Sequence, residues 1–135
     1  GPDTEAERAL KTAAQRAWEA VNNGFDQWMF SEALSELWRF VGAGNRYVDA
    51  TKPYLLASEG DAGGRLDTIL YNLVEGVRNA ALLAAPAIPG TADRIYAQLG
   101  LPAIEGAAWI EQRAWGGLSP GSRVPGGEPI FPRLA

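Results

Sequence analysis

Apolar positions recur at helical spacing along most of this chain and divide it into helical segments followed by a differently built tail. In the first segment, Ala6, Leu10, Ala13, Ala14, Ala17, Trp18 and Val21 fall at i, i+3, i+4 intervals, one stripe of a helix from about Thr4 to Asn22. Thr4-Glu5-Ala6-Glu7 has the form of a capping box, Thr4 accepting from the backbone and Glu7 returning to it. Asn22-Asn23-Gly24 tolerates a left-handed backbone and is expected to end this helix. A stripe so rich in alanine predicts close packing on a neighbour.

The second segment, Phe30 to Tyr54, reads as one long amphipathic helix stopped by Pro53, because the residue before a proline is pushed out of the α region. Phe30, Ala33, Leu34, Leu37, Trp38, Val41, Tyr47 and Val48 lie on or beside one face. Gly42 and Gly44 each cost about 0.8–1 kcal/mol relative to alanine. They are expected either to admit another helix closely or to bend the chain near Asn45 and Arg46. After a Gly-rich loop at 59–64, a third helix is predicted from about Arg65 to Ala84, with Leu66, Ile69, Leu70, Leu73, Val77, Ala80, Ala81 and Ala84 inward. Its second half is apolar nearly all round, which predicts a central buried helix. Pro86, Pro89 and Gly90 break the chain, Thr91 is expected to cap a short helix, and Gly100 to end it.

Beyond Leu101 the prolines at 102, 120, 125, 129 and 132 stand among glycines and leave room for a turn or two of helix around Ala107–Arg113. Trp109, Trp115, Ile130 and Phe131 predict an ordered strap whose aromatics plug into the bundle. The expected fold is all-α, a bundle of about four helices over residues 3–100 with the strap, 101–135, as part of the same domain. Gly1-Pro2 reads as the scar of a cleaved tag.

Composition narrows the chemistry. With 135 residues the chain has the size of one domain. It has no cysteine and no histidine, so disulfides, thiolate or imidazole metal sites and His-based nucleophilic triads are excluded. Its carboxylates do not cluster at the spacing of a cation-binding loop. A binding or structural role fits better than catalysis. The net charge of −4 argues against a general polyanion binder but leaves room for a local basic patch. No apolar run is long enough to span a membrane. The chain opens on no basic, then apolar, leader, and the absence of cysteine agrees with the expectation of a cytoplasmic protein.

Four short stretches, in order, carry a resemblance. They are Gly44-Asn45-Arg46-Tyr47-Val48-Asp49 with Lys52-Pro53-Tyr54, then 65–73 (RLDTILYNL), then 84–92 (AAPAIPGTA), then Gly127-Glu128-Pro129-Ile130-Phe131-Pro132-Arg133. Together they resemble the C-terminal anticodon-binding domain of methionyl-tRNA synthetases over about residues 5–133. The resemblance implies an α-helical bundle that follows a class I catalytic core and grips the anticodon loop of methionine tRNA. In the family a Trp after the proline stacks on an anticodon base, and Tyr54 stands at that position with a smaller ring. The family's N-x-x-x-R pair on an upstream helix and its HIGH and KMSKS signatures have no match here. The resemblance therefore implies a fragment that catalyses nothing, with ATP and methionine bound by a catalytic domain outside it. Its implied partners are methionine tRNA and that catalytic domain, not DNA or a membrane.

Residues near the second helix's end supply the candidate RNA-binding set: Tyr54, Pro53, Arg46, Lys52 and Asn45. Arg39 and Arg46, seven apart, share a helical face that could contact phosphates on the way to Tyr54, or simply face solvent. Asn45, in line with Trp38, is open to a buried hydrogen bond or an RNA contact, and Tyr71 and Asn72 raise the same question. Trp18, Trp28 and Trp38 are read as core, Trp109 and Trp115 as anchors of the strap. Glu32/Glu36 and Asp93/Glu105 are read as surface charge without partner chemistry. The reading from another class is a protein-interaction or self-association module.

Overall fold

The computed structural model describes residues 2–26, 29–60, 63–104 and 109–133, and among them there are helices and turns but no strand. The helices are α1 (Glu5–Asp26), α2 (Phe30–Thr51), α3 (Pro53–Glu59), α4 (Arg65–Ala84) and α5 (Pro89–Gln98), followed by a 3-10 turn, Ile110–Arg113. α1, α2, α4 and α5 make the all-α bundle of about four helices that periodicity predicts.

α1 runs through the expected stop. Gly24 lies inside it, at a point where a Cβ would come 2.9 Å from the Ala33 Cβ and 3.0 Å from the Met29 carbonyl oxygen, so the glycine serves close packing and not a helix end. This is the close approach expected of Gly42 and Gly44. A Cβ on Gly44 would meet nothing within 4 Å, and one on Gly42 only the Arg46 side chain. α1 packs most extensively on α2, burying Leu10, Ala14, Ala17, Trp18 and Val21 against Ala33, Leu37, Phe40, Ala43 and Tyr47.

The inward face of α2 is thus narrower than its apolar pattern. Phe30 and Leu34 are more than two-fifths exposed, and Trp38, expected in the core, is 68% exposed. At 100° per residue the buried set and the Phe30–Leu34–Trp38 set form separate stripes. Periodicity cannot tell which stripe has a partner. The same correction holds for Leu70 and Val77 of α4, which were expected inward and are nearly half exposed. Trp28 and Glu105 lie outside the described residues.

α4 buries Ile69 and its apolar last turn, Ala81 to Ala84, as expected, and buries a polar set beside them. Glu75, Arg78 and Asn79 are buried, and Glu75 and Arg78 form an ion pair, Nε–Oε1 2.9 Å and Nη2–Oε2 3.0 Å. The pair also clasps the strap. Gly116 and Leu118 donate backbone N–H groups to the Glu75 carboxylate at 2.9 and 2.7 Å, while Arg78 donates to the carbonyls of Gln112 and Ala114, both at 2.7 Å. Gly117 sits where a Cβ would come within 2.6 Å of the Arg78 guanidinium carbon. These bonds and the Arg78 charge hold the Glu75 carboxyl below its usual range against the opposing effect of burial.

The strap's anchors sit as expected. Trp109 stacks at a tilt on Trp18, centroids 5.4 Å apart, and donates to the Leu82 carbonyl. Trp115 donates to Asn72 Oδ1 at 3.3 Å, and Tyr71 to the Leu118 carbonyl at 2.9 Å, so Asn72 and Tyr71 serve the strap. Further on, Gly126 and Glu128 hydrogen-bond with Gln98, but Phe131 is 76% exposed and plugs nothing. Two local expectations also change. Ile88, not Thr91, is the N-cap of α5, with Pro89 at the first turn. Asp93 has a partner after all, accepting the Ile104 N–H at 2.8 Å. Among the described residues no buried side-chain nitrogen or oxygen lacks a hydrogen bond.

Candidate nucleic-acid interface

The second helix stops before Pro53 as expected, but a further short helix that the pattern did not predict begins at the proline itself. α2 ends at Thr51, Lys52 takes a left-handed backbone at φ 46, and Pro53 starts α3. Lys52 is the one non-glycine at positive φ among the described residues, a conformation costing roughly 1–2 kcal/mol for an L-residue. Its N–H caps the Val48 carbonyl at 2.8 Å, and its own carbonyl accepts the Leu55 N–H at 3.0 Å. Pro53 suits a first helical position, where its missing N–H has no intrahelical acceptor to lose. The hinge therefore turns the chain sharply and puts Tyr54 on the first turn of α3, 60% exposed, beside an exposed Leu55.

What holds this end of the bundle is a buried carboxylate that sequence reasoning assigned to a surface cap. Glu7 accepts the Thr4 N–H at 2.8 Å and the Thr4 hydroxyl, so half of the capping box forms. Its carboxylate then turns inward, 1% exposed, to accept the Tyr47 hydroxyl at 2.5 Å and Arg65 Nη2 at 2.7 Å. One side chain ties the starts of α1 and α4 to the last turn of α2, one turn before the hinge. The signal available was Tyr47 on the inward stripe, whose hydroxyl needs a buried acceptor.

Burial pushes the Glu7 carboxyl up, but Arg65, Thr4 and Tyr47 together outweigh it and hold the pKa at about 2. Burial and the adjacent Glu7 carboxylate raise the Tyr47 hydroxyl above its ordinary range. Because the Glu7 pKa is depressed on folding, its contribution to stability is present above about pH 4.5 and lost as pH falls toward 2. The shift corresponds to roughly 3 kcal/mol. Urea unfolding of the wild type should show this loss between those pH values, and Glu7→Gln should flatten the curve there. An unchanged slope in Glu7→Gln would remove Glu7 as its source.

Arg46, Asn45 and Lys52 are all exposed around the hinge, so the hydrogen-bonded core position open to Asn45 is not the one it occupies. Arg39 ion-pairs with Glu36. Arg39 and Arg46 flank the buried stripe of α2 on the side opposite Trp38. They line a groove of about 720 Å³ between α1 and α2, together with Arg8, Arg16, Glu5 and Glu36. On the other flank, Val41, Val48, Leu73 and Val77 line an apolar hollow of about 240 Å³ between α2 and α4. Among the described residues no three acidic side chains converge where they could hold a metal ion, and no helix is long and apolar enough to cross a membrane.

Residues 7–116 match the family model of the anticodon-binding domain of tRNA ligases. The chain belongs to that family. It is 38% identical over 130 residues to a methionine–tRNA ligase of Caldanaerobacter subterraneus subsp. tengcongensis, covering 96% of this chain and 20% of the relative. The methionine–tRNA ligase of Bacillus subtilis is 34% identical over 134 residues, again with 20% of the relative covered. Free methionyl-tRNA synthetase of Mycobacterium tuberculosis superposes on the whole chain with a TM-score of 0.81 at 30% identity, over 27% of its own length. The same enzyme bound by methionyl-adenylate gives 0.78 over 98% of this chain. The chain thus spans about a fifth of the curated relatives it matches. It corresponds to their anticodon-binding domain, not to the catalytic one.

Proposed function

We propose that this domain recognises the anticodon loop of methionine tRNA for a methionyl-tRNA synthetase. Tyr54 stacks on an unpaired base, Pro53 fixes the turn that presents it, Arg46 and Lys52 neutralise flanking phosphates, and Asn45 offers its amide from the α2/α4 flank of the same helix end. The observation that carries this reading is a large exposed aromatic held on the far side of a strained hinge, in a family of anticodon binders. Strain of this kind persists where surrounding structure fixes it, and it is a pointer to function. RNA recognition uses this combination of backbone charge and stacking on splayed bases. Aminoacylation, with its ATP and methionine, is the work of a catalytic domain in a longer cytoplasmic protein.

Titrating labelled methionine tRNA, with its native and with an altered anticodon, at about 50 and 200 mM salt tests the reading. Tighter binding of the native anticodon at both salt concentrations is expected. Equal, weak and salt-sensitive binding of both would overturn anticodon reading by this chain.

A second reading, a docking module, is favoured by the exposed Phe30–Leu34–Trp38 stripe, whose Phe30 and Leu34 line an apolar hollow of about 180 Å³ with Leu83 and Pro86. Its proposed occupant is the catalytic body of the same protein, since the relatives are about five times longer. With that face uncovered, the isolated chain is expected to self-associate with rising concentration in sedimentation velocity, and Trp38→Glu to suppress it. A monomer at all concentrations would count against the stripe as an interface.

A further inference from the structure

We infer that the arginine-lined groove between α1 and α2 is a sequence-independent seat for a tRNA sugar-phosphate strand, extending the contact away from the Tyr54 platform. The inference rests on the tRNA-binding reading above and concerns the surface that leads away from it, with Arg46 common to both. The chain carries a net charge of −4, yet four of its twelve basic residues, Arg8, Arg16, Arg39 and Arg46, line this one groove. Two come from α1 and two from α2, so the concentration of charge arises from helix packing and not from a run in the sequence. Of the two acids at the rim, Glu36 pairs with Arg39, which leaves Arg8, Arg16 and Arg46 against Glu5 and a local surplus of positive charge in a chain that is negative overall. Arg8 donates to the neutral carbonyl of Asp3, 2.7 Å away. The nearby Asp3 carboxylate is taken by Lys11 at 2.6 Å.

The groove's shape fits the same ligand. Ala9, Ala13, Ala43 and Ala50 line it, and such small side chains let a broad backbone approach the helices. It ends at Ala50, two residues before Lys52, which brings the groove up to the hinge. The two aromatics of its lining, Phe40 and Tyr47, are buried and offer no face to a base. Arginine on phosphate positions a nucleic acid and carries no sequence information. The groove therefore supplies affinity, and the hinge supplies discrimination.

The test compares Arg8→Ala/Arg16→Ala with Arg94→Ala/Arg123→Ala, which removes the same charge from exposed positions outside the groove. Native and anticodon-altered methionine tRNA are titrated against each across a salt series, with thermal unfolding confirming that both variants fold. The groove variant is expected to lower the slope of log K against log salt by about 0.7 per lost contact, roughly 1.4 in all. It should weaken both tRNAs by the same factor, leaving their ratio intact, while the control variant keeps the wild-type slope. Equal slopes in the two variants would overturn the groove. Loss of the native-to-altered ratio in the wild type, with the groove effect intact, would overturn anticodon reading alone. No binding in any arm would overturn both.

Discussion

Arg78→Met is expected to destabilise the protein by about 3–5 kcal/mol, the usual cost of stranding one member of a buried ion pair. Against a typical total of about 5–15 kcal/mol, that is a large fraction of the stability of the domain. Replacing both charges by apolar residues of similar size often relieves such a site, but not here. The spare capacity of Glu75 and Arg78 is filled by two backbone N–H groups and two backbone carbonyls of the strap. A Glu75→Leu/Arg78→Leu protein would leave those four groups without partners, at about 1–3 kcal/mol for each that stays buried. The double variant should therefore remain destabilised and release residues 112–118 to protease. Gly117→Ala probes the same clasp by crowding the guanidinium. Urea unfolding is the measurement, and an Arg78→Met protein within 1 kcal/mol of wild type would mean the clasp contributes little.

Tyr54→Ala is expected to weaken binding of methionine tRNA by about 1–3 kcal/mol, roughly 5- to 150-fold, the range for one base–aromatic stack. The ring is mostly in solvent and outside the core cluster, so thermal stability should change by no more than about 0.5 kcal/mol. That separation matters, because a ring that merely covered the end of the bundle would lose stability and leave affinity alone. Tyr54→Trp offers a larger π-face and should tighten binding. Fluorescence anisotropy with native tRNA gives both numbers, and an unchanged Kd for Tyr54→Ala would return the residue to a structural role.

The residues proposed to face RNA could be picked out because they stand in a linear pattern, Asn45-Arg46 followed by Lys52-Pro53-Tyr54, and linear order survives folding. The groove was half legible. Arg39 and Arg46 share a face by their spacing, but Arg8 and Arg16 join them only when α1 packs alongside.

Sequence alone determined that this chain is helical, where most of its helices lie, that α4 spans Arg65 to Ala84, and that Trp109 and Trp115 anchor a proline-rich strap. These follow from local spacing and from the need of a large aromatic to be covered. Tertiary structure decided which apolar stripe of α2 is inside, because two stripes satisfied the same period and only one meets α1 and α4. It also decided that Glu7, Glu75 and Arg78 are interior. Charges at helical spacing look like a solvated face until a second surface closes over them, and here the closing surfaces are the α2 and α4 ends for Glu7 and the strap for the other two. The break at Lys52 belongs to the same class. A proline marks where a helix must yield, but the packing around it determines that the chain turns through a left-handed residue and starts again, with Tyr54 facing outward.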